Sequence, residues 1–435
     1  MVRGDGMRVC QYGLGRIGLP IALILADSGF RVTGIDINRD LVRKLQKKQV
    51  PFIEPGLEEL LKKHVNNGFT PKHPNDGAVV EDIASAEYIV IAVGTGFARY
   101  PEKPDLSKLY SIIGELITVG IRGKTIILRV TLPIGTTERV IDIIEKKTGL
   151  KEGKDFWFAF VPERIMEGRA IEEERTLPKI VGCKSEETFS KVKRLFDKVG
   201  GKIIKVSNPR TAEFIKLIDN AWRNTRFAFA NELALLAEKH GIDVMEAINK
   251  ANEGYKRNDI PIPGPVSGYC LGKDPYILEI AFREIAEERG FNSVWYYGRL
   301  ANDWLVEKLV DEVQGENILI LGLSFKADVD DFRYSHSIEI IRKLLEKGYK
   351  VYVHDPFFGM NNYTSLDPEI RREVSPIGSL LEIPKEIDTI IVSTPHKEYR
   401  EIDPSIIPKH VLIIDLWNIW RWCKGRNPYR SLGLV

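Results

Sequence analysis

One cysteine lies where a thiol could act as a nucleophile. Cys270 is in the glycine-rich stretch 264–275, GPVSGYCLGKDP, directly before an apolar-periodic segment. That segment predicts a helix with Pro275 at its first position and Asp274 as its N-cap. The partial positive charge of a helix N-terminus and the ammonium of Lys273 both favour the reactive thiolate. The alternative is an inert cysteine, buried as a small apolar residue beside an ordinary helix cap.

An ammonium, an amide and two carboxylates elsewhere in the chain could assist such a thiol. Lys216 and Asn220 are four residues apart in the segment 211–240, whose apolar spacing predicts a helix, so they share one face. Glu163 and Glu167 lie in the stretch VPERIMEG, which follows a predicted strand. Taken alone, the first pair is typical of a solvated helix stripe and the second pair is typical of surface charge.

A glycine-rich turn near the start of the chain predicts a dinucleotide site. Gly13, Gly15 and Gly18 form a G-x-G-x-x-G pattern between a short strand and an apolar helix. Gly13 permits the tight turn, Gly15 lets the backbone approach a pyrophosphate, and Gly18 lets the helix pack on the strand. Asp36 ends the second strand, where a carboxylate accepts from a ribose 2′-hydroxyl and repels a 2′-phosphate. The pattern therefore favours NAD over NADP, although the glycine spacing alone also occurs in unrelated turns.

The order of elements predicts an α/β fold with two Rossmann-like doubly wound domains joined by a helical central domain. We expect an NAD-binding domain at residues 1–207, a helical domain at 208–313 that carries the cysteine and mediates dimerisation, and a second Rossmann-like domain at 314–435. Predicted strands are 7–12, 31–36, 88–93, 125–130, 156–160, 179–181, 317–325, 351–356, 389–393 and 411–415. Predicted helices are 19–28, 211–240, 275–289, 293–313 and 337–347.

Hydroxyl groups stand at two of these strand ends. Thr95 follows the third predicted strand and Thr131 follows the fourth. Open parallel sheets bind their ligands at the carboxyl edge, so both residues are candidate ligand contacts.

Composition excludes several other classes of protein. Lys and Arg number 63 against 61 Asp and Glu, and no basic block is interleaved with aromatic residues, so we expect no nucleic-acid partner. No apolar run reaches the roughly 18 residues of a membrane span, and the start lacks the apolar core of a signal peptide, which predicts a cytoplasmic protein without a membrane partner. The four cysteines show no metal-binding or disulfide spacing, so we expect no metal.

With these pieces in order, the chain resembles the UDP-sugar 6-dehydrogenases, NAD-dependent enzymes that oxidise a nucleotide sugar to its uronic acid. The resemblance covers nearly the whole chain, and its motifs occur in the family's order. They are GLGRIGLP, DIN, PxxEPGL, VGT with PDLS, LPIGTTE, PExxxxG, the KLxxN helix, GYCxxxDP, GLSFKxDxDDxR and the closing DLWN. Chance agreement over so many ordered motifs is negligible.

The resemblance implies a role for each matching residue. Cys270 is the expected nucleophile, and Asp274 is its acid/base neighbour. Lys216 and Asn220 are expected to hold the developing oxyanion and an ordered water. Thr131 and Glu163 are expected to assist that water. The implied cofactor contacts are Gly13, Gly15, Ile17, Gly18, Asp36, Thr95, Thr131, Glu167 beside the nicotinamide, and Arg333 at the phosphates. The implied substrate contacts are Glu163, Arg164, Lys216, Asn220, Lys326 and Arg257, the last from the same subunit or across a dimer interface.

The chemistry of the reaction agrees with these residue types. Oxidation of a primary alcohol to an acid removes two hydrides from one carbon, and the aldehyde formed between them must be held. A thiolate holds it as a thiohemiacetal, which the second oxidation turns into a thioester that water cleaves. An ammonium near the tetrahedral oxygen stabilises its charge by about 3 kcal/mol.

Two rival functions remain open at this point. A nucleotide-sugar binding or regulatory protein without catalytic activity needs no thiol and releases no NADH. A two-electron dehydrogenase of the 6-phosphogluconate type shares the fold plan and releases one NADH per sugar, but it needs neither Cys270 nor a second nucleotide-like domain. The chain also departs from its relatives, which more often have Gly at Ser267, His or Ser at Tyr269, and Arg at Trp417 near the uridine.

The sugar is predicted from one substitution in the loop after a strand. Glucose-type relatives usually read NPEFLxEG, whereas VPERIMEG has the PER of the branch that oxidises N-acetylated sugars. Arg164 replaces an aromatic wall by a donor fork that could meet an acetamido carbonyl or reorder the loop that frames C2. This favours UDP-N-acetylmannosamine, an intermediate of surface polysaccharides. UDP-glucose and the N-acetylglucosamine and N-acetylgalactosamine nucleotides remain alternatives, as does a surface pairing of Arg164 with Glu172 or Glu173.

The helical middle also predicts self-association. The apolar positions of the segment 211–240 and the resemblance both indicate a homodimer or a higher homo-oligomer.

Overall fold

A computed structural model describes residues 6–96, 102–357 and 366–432 of the chain. Contacts between residues divide the chain into two compact units, Met1–Asp219 and Asn220–Val435. Within the described ranges, no helix has both the length and the apolar character needed to cross a bilayer. Residues 1–5, which form most of the start considered for a signal peptide, lie outside these ranges. The three domain boundaries given above stay a prediction.

The first unit is a sheet with helices on both faces. Its strands are β1 Arg8–Tyr12, β2 Arg31–Ile35, β3 Phe69–Lys72, β4 Tyr88–Ile91, β5 Thr125–Leu128, β6 Trp157–Phe160, β7 Lys179–Cys183 and β8 Ile203–Val206. Its helices are α1 Gly18–Asp27, α2 Arg39–Gln46, α3 Leu57–His64, α4 Val79–Ser85, α5 Ser107–Val119, α6 Thr136–Thr148, α7 Ala170–Thr176 and α8 Glu186–Val199. The sheet order is β3-β2-β1-β4-β5-β6-β7-β8 among the described residues.

The predicted doubly wound sheet is confirmed, with one difference in strand direction. Every neighbouring pair is parallel except β6 and β7, which are antiparallel. The sequence pattern also missed the edge strands β3 and β8. The central strands are buried on both faces, because alternate residues enter different cores: Val9 packs in one hydrophobic cluster and Cys10 in the other. Helices covering both faces explain the unbroken apolar runs of these strands.

Helices lead into a second sheet in the other unit. Helix α9, Pro209–His240, crosses the boundary between the units and is followed by α10 Val244–Asn252, α11 Asp274–Arg289 and α12 Val294–Asp311. The remaining strands are β9 Asn317–Leu321, β10 Lys350–His354, β11 Ser375–Pro376, β12 Thr389–Val392, β13 Leu412–Asp415 and β14 Tyr429–Ser431, with helices α13 His336–Glu346 and α14 Pro368–Glu373. Their order is β11-β10-β9-β12-β13-β14, and all pairs are parallel.

The helical middle and the second Rossmann-like sheet thus agree with the sequence prediction. Helix α10 and the short strands β11 and β14 were missed. The signal for α10 was present in Asp243, whose side chain accepts from the first backbone N–H groups of that helix as an N-cap.

The two units carry the same turn after their first strand. In the first unit, Leu14 N donates to the Asp36 carboxylate at 2.8 Å; in the second, Leu323 N donates to the Asp355 carboxylate at 2.7 Å. Asp36 is half-buried, whereas Asp355 is buried and lies 3.2 Å from His396 Nε2. The Asp355 carboxylate is therefore engaged in hydrogen bonds within the protein.

Candidate active site

The glycine-rich turn of the first unit has the geometry of a dinucleotide site. Gly13 has a φ of +86°, and a Cβ on Gly18 would lie 2.0 Å from the Gly13 carbonyl oxygen, so neither position accepts another residue. A Cβ on Gly15 would meet no protein atom within 4 Å. The chain itself therefore does not require glycine there, and the space beside this backbone is open to a ligand. The fit to a pyrophosphate therefore holds at the position where it was expected.

The remaining residues of the expected cofactor site surround this turn. The two Asp36 carboxylate oxygens accept from Leu14 N and Asn38 N, each at 2.8 Å, which fixes the carboxylate at the turn and leaves lone pairs for a ribose hydroxyl. Ile17 occupies the cap position of α1. Thr95 is buried just after β4, at the carboxyl edge of the sheet.

A loop from the far side of the sheet reaches the same turn. Glu167 lies 3.7 Å from the guanidinium of Arg16, a residue of the glycine-rich turn. Glu54 holds the loop in place, because its two carboxylate oxygens accept from Gly168 N at 2.7 Å and Ala170 N at 2.8 Å. Glu167, expected beside the nicotinamide, is thus adjacent to the cofactor turn. Sequence analysis missed Arg16 and gave Glu54 no function, although Glu54 stands in one of the quoted motifs.

Glu163 and Lys216 form a buried acid–base pair in the first unit. The Lys216 ammonium donates to the Glu163 carbonyl oxygen and lies 3.8 Å from its carboxylate. Burial raises the pKa of the Glu163 carboxyl, and the charges of Lys216 and Arg129 oppose that rise. Its Oε1 has no hydrogen-bond partner among the described protein groups. A carboxyl with a raised pKa and an open oxygen is suited to exchange a proton with a bound molecule.

A second buried ion pair lies beneath this loop. Arg129 donates to both carboxylate oxygens of Glu174, at 2.5 and 3.0 Å, and both side chains are 1% exposed. The Lys179 ammonium lies 3.6 Å from the same carboxylate. Two cations thus share one buried carboxylate, which compensates for the removal of these charges from water.

The loop that carries Thr131 is fixed by a carboxylate on α9. Glu213 accepts from Gly135 N at 2.5 Å, Thr137 N at 2.7 Å and Thr137 Oγ1 at 2.6 Å. These donors stand at the start of α6, so Glu213 satisfies N–H groups that a helix N-terminus leaves open. Glu213 precedes Lys216 by three residues on the same helix. Helix α9 therefore carries both Lys216 and the carboxylate that fixes the loop of Thr131. The sequence gave no indication of this role.

Arg164 does not make the surface pairing that was considered. Its guanidinium donates to the Pro178 carbonyl oxygen at 3.0 Å and lies 3.4 Å from the Asp219 carboxylate. Glu172 and Glu173 have other partners, so the alternative that Arg164 pairs with them is wrong. Arg164 fixes the loop rather than projecting freely from it.

The second unit contains Cys270 and a buried cluster around it. Helix α11 begins at Asp274, and the cap position is Lys273, so the prediction of Asp274 as N-cap is wrong. The Asp274 carboxylate accepts from the Lys273 ammonium at 2.6 Å and from Asn220 Nδ2 at 2.7 Å. Asp274 N also donates to the Cys270 carbonyl oxygen at 3.0 Å. The carboxylate binds charged and amide donors instead of capping its helix.

The charge state of Lys273 follows from this cluster. Its side chain is fully buried, which acts to lower the pKa of the ammonium, but the charges of Asp274 and Cys270 outweigh burial and raise it. Lys273 therefore remains a cation near the half-buried Cys270. This is the electrostatic setting that the sequence predicted for a thiolate.

Residues on helices α9 and α12 hold the cysteine loop in place. Asn231 accepts from Gly264 N at 2.8 Å and donates to the Gly264 carbonyl oxygen at 3.1 Å. The buried Arg299 donates to the Val266 carbonyl oxygen at 3.1 Å and pairs with Asp303 at 2.8 Å. Sequence analysis missed both residues; the available signal was a polar side chain on the apolar face of a predicted helix.

The connection between β9 and α13 also contacts the cysteine loop. Gly268 has a φ of +90°, donates its N–H to the Tyr334 carbonyl oxygen at 2.8 Å, and leaves no room for a Cβ, which would lie 2.6 Å from the Phe325 ring. Lys326 follows Phe325 directly and is half-buried. The expected substrate contact Lys326 is thus close to the cysteine loop.

Two expected arginines differ in their placement. Asp331 accepts from the Arg333 guanidinium at 2.8 and 2.7 Å, and that guanidinium lies 5.9 Å from the Tyr269 ring, beside the cysteine. Arg257 is exposed, and the contact it makes in the described chain is with the Tyr255 ring, at 4.6 Å. The structure brings Arg333 to the cysteine loop, but it gives Arg257 no contact there.

Two of the expected residues meet different partners along α9. Lys216 contacts Glu163 in the first unit, and Asn220 contacts Asp274 in the second. The helix thus carries an ammonium and an amide four positions apart, as predicted, with a carboxylate beside each.

Comparison with known proteins agrees with the glycine-rich turn of the first unit and with the second nucleotide-like sheet. Three domain models of the UDP-glucose/GDP-mannose dehydrogenase family match the chain: the NAD binding domain at residues 7–200, the central domain at 210–295 and the UDP binding domain at 319–421. The chain belongs to this family. It is an NAD-dependent oxidoreductase.

Individual relatives support the same assignment. The chain is 33% identical to a UDP-N-acetyl-D-mannosamine dehydrogenase of Pyrococcus horikoshii, over 95% of this chain and 96% of that protein. A solved UDP-D-ManNAc dehydrogenase structure from the same organism matches with a TM-score of 0.85 and 31% identity, covering 98% and 99% of the two chains. A UDP-glucose dehydrogenase structure from Pyrobaculum islandicum matches with a TM-score of 0.82 and 26% identity over both whole chains.

Replacing Glu54 tests whether the loop contact at the cofactor turn matters. In Glu54→Gln an amide NH₂ faces a backbone N–H, so one of the two loop bonds is lost. A hydrogen bond to a charged group is worth about 1.5–3 kcal/mol, so we expect kcat/KM for NAD to fall by roughly tenfold or more. The exposed Glu58→Gln on α3 is the control and should leave steady-state kinetics unchanged. Equal kinetics for both variants would contradict the role of Glu54.

Proposed function

We propose that this protein oxidises the C6 alcohol of UDP-N-acetylmannosamine to UDP-N-acetylmannosaminuronate, consuming two NAD per sugar. The observation that carries the proposal is the position of Cys270 beside the buried cluster of Lys273, Asp274 and Asn220. A thiol next in the chain to a buried cation, carboxylate and amide suits covalent chemistry, whereas binding alone needs no thiol.

The nucleophile accounts for the four-electron reaction. Bound NAD supplies the hydride acceptor for each of the two oxidation steps. After the first, the Cys270 thiolate adds to the aldehyde carbon and gives a thiohemiacetal; after the second, that carbon is a thioester, and water releases the acid and restores the thiolate. One alcohol, two NAD⁺ and one water thus give one carboxylate, two NADH and three protons. Lys273 stabilises the thiolate, and Asn220 together with Asp274 orients the reacting oxygen.

Glu163, Thr131 and Lys216 act on the water and on the developing charge. The raised pKa of the Glu163 carboxyl and its open Oε1 suit it to take a proton from the attacking water. Lys216 supplies a positive charge beside it. Lys326 contacts the substrate, and Arg333 contacts the cofactor phosphates. Arg257 reaches the substrate from an exposed segment, in the same subunit or across the dimer interface.

The choice of sugar rests on Arg164 and on the relatives. The names of the Pyrococcus horikoshii relative and of its solved structure both specify the N-acetylmannosamine nucleotide. Arg164 is engaged by Asp219 and the Pro178 carbonyl oxygen, which supports the second of its two proposed roles: it shapes the loop that frames the C2 substituent. The product is a precursor of surface polysaccharides. None of the four cysteines, all in the described chain, forms a disulfide, which fits the cytoplasm as its location.

The proposal includes a homodimer formed through the helical segment. Trp222, Phe229 and Leu236 on α9 are 62%, 53% and 55% exposed, at a spacing of seven residues. Trp304 on α12 is 50% exposed. Large exposed apolar side chains on one helix stripe are typical of a surface that is covered in an oligomer.

Cys270→Ser tests the covalent mechanism. We expect this variant to release less than about a thousandth of the wild-type acid, because a serine hydroxyl is a far weaker nucleophile than a thiolate, while NAD binding remains nearly unchanged. The measurements are NADH released per sugar, expected to be two for the wild type, and NAD affinity by fluorescence. The buried Cys183→Ser is the control and should retain activity. Full turnover by Cys270→Ser would exclude the thioester route.

Turnover of four nucleotide sugars tests the substrate. We expect kcat/KM for UDP-N-acetylmannosamine to exceed that for UDP-glucose and for the N-acetylglucosamine and N-acetylgalactosamine nucleotides by at least about tenfold, the scale on which pocket shape discriminates. Arg164→Phe should lower the ratio of kcat/KM for UDP-N-acetylmannosamine to kcat/KM for UDP-glucose. A preference of the wild type for UDP-glucose would overturn the assignment of the sugar alone.

Sedimentation velocity tests the dimer. The wild type should sediment as a dimer or larger species at micromolar concentration, and Trp222→Glu should shift it toward monomer, because a buried unpaired carboxylate opposes association. Val80→Glu places the same charge on an isolated exposed apolar residue and should change nothing. A monomeric wild type would remove the dimer from the proposal.

A further inference from the structure

A buried histidine connects the cysteine loop to the second sheet. His336 stands at the start of α13 and is 3% exposed. Its Nδ1 lies 2.8 Å from Ser267 Oγ, three residues before Cys270, and its Nε2 lies 2.7 Å from the Ser393 carbonyl oxygen.

The donors and acceptors of this hydrogen-bond chain follow from its ends. A carbonyl oxygen only accepts, so His336 Nε2 carries the hydrogen and donates a hydrogen bond to the Ser393 oxygen. Burial lowers the pKa of His336 to about 4, so the ring is neutral and its Nδ1 is an acceptor. The Ser267 hydroxyl must then donate to Nδ1. Each group in this series of hydrogen bonds is therefore either the donor or the acceptor at each contact. The series fixes the direction of the Ser267 side chain.

Trp417 reaches the same carbonyl and the other end of the loop. Its Nε1 donates to the Ser393 oxygen at 2.7 Å. Its ring covers Gly264, where a Cβ would lie 2.5 Å from a ring carbon. His336 and Trp417, which contact opposite ends of the cysteine loop, therefore meet at one carbonyl oxygen, that of Ser393.

The position of Ser393 gives this convergence a functional meaning. Ser393 follows β12, and β12 lies beside β9, with β10 on the other side of β9. The strand order reverses between β9 and β12, and open α/β sheets bind ligands outside the carboxyl ends of strands at such a point. The cysteine loop is thus hydrogen-bonded to the mouth of the expected nucleotide crevice.

We propose that His336 is a positioning residue for Cys270, which it holds through Ser267, and that Trp417 fixes the other end of the same loop. The inference rests on the function proposed above, in which Cys270 is the nucleophile. His336 acts through Ser267 and touches no reacting atom. Its effect is to keep the thiol at one distance from a sugar whose nucleotide lies at the carboxyl edge of β9 and β12.

The test compares variants that keep or remove the Ser267 hydroxyl. Ser267→Ala removes the donor to Nδ1, and His336→Gln keeps a donor to Ser393 but has no acceptor where Nδ1 lies. Ser267→Thr keeps the hydroxyl. Thr389→Ala is the control: it removes a buried hydroxyl that donates to a backbone carbonyl at 2.7 Å at the opposite end of β12.

We expect kcat to fall about tenfold in Ser267→Ala and His336→Gln, within the ~10²-fold that a 1 Å misplacement can cost. KM for NAD should stay within twofold, and two NADH per sugar should remain. The rate of Cys270 alkylation by iodoacetamide, followed by mass spectrometry without substrate, should change at least threefold in both. Ser267→Thr should recover at least half of the wild-type kcat, and Thr389→Ala should change melting temperature only.

Two results would overturn the inference. The first is an unchanged kcat and an unchanged alkylation rate in Ser267→Ala. The second is an equal loss in Thr389→Ala, which would show a general effect of stability. Failure of the proposed function is separate, because it would appear as full activity in Cys270→Ser whatever Ser267 does.

Discussion

The burial of Lys273 and Asp274 is the constraint on which the second unit depends. Both side chains are completely inaccessible, and removing two such charges from water costs several kcal/mol each unless they pair and their remaining groups are bonded. Their contact at 2.6 Å and the Asn220 amide meet that requirement. The start of α11, the register of α9 at Asn220 and the path of the cysteine loop are therefore fixed together, because a shift of any one would expose an unpaired buried charge.

The first unit positions its loops by the same physical means. Glu54 and Glu213 each accept two or three donors that include backbone N–H groups, and Arg129 pairs with Glu174 below them. Loops at a sheet edge have few internal hydrogen bonds, so buried carboxylates on neighbouring elements supply the order that the loops lack. The loops that carry Glu163 and Thr131 are consequently held by carboxylates on other elements.

The two sheets have the same turn after their first strand, but the carboxylate at that turn has a different role in each. Asp36 remains half-buried with acceptor capacity left over, so it suits a ribose hydroxyl. Asp355 makes the equivalent bond to the turn but is buried with His396, so its carboxylate is not available in the same way. Only the first turn carries the glycine pattern for close approach of a pyrophosphate. The second sheet has its ligand edge at β9 and β12 instead, beside Ser393 and Trp417.

The sequence by itself determined what depends on neighbours in the chain. The glycine turn, the long helix α9 and the Cys270 loop before α11 were predicted because backbone conformation and apolar period are local properties. Only the tertiary structure decided the antiparallel pair β6 and β7, the short edge strands, the start of α11 at Asp274, and the partners of Glu54, Glu213, Arg299 and His336. Each of these depends on residues far apart in sequence, and a carboxylate or imidazole that serves a distant backbone group has the same local pattern as one that faces water.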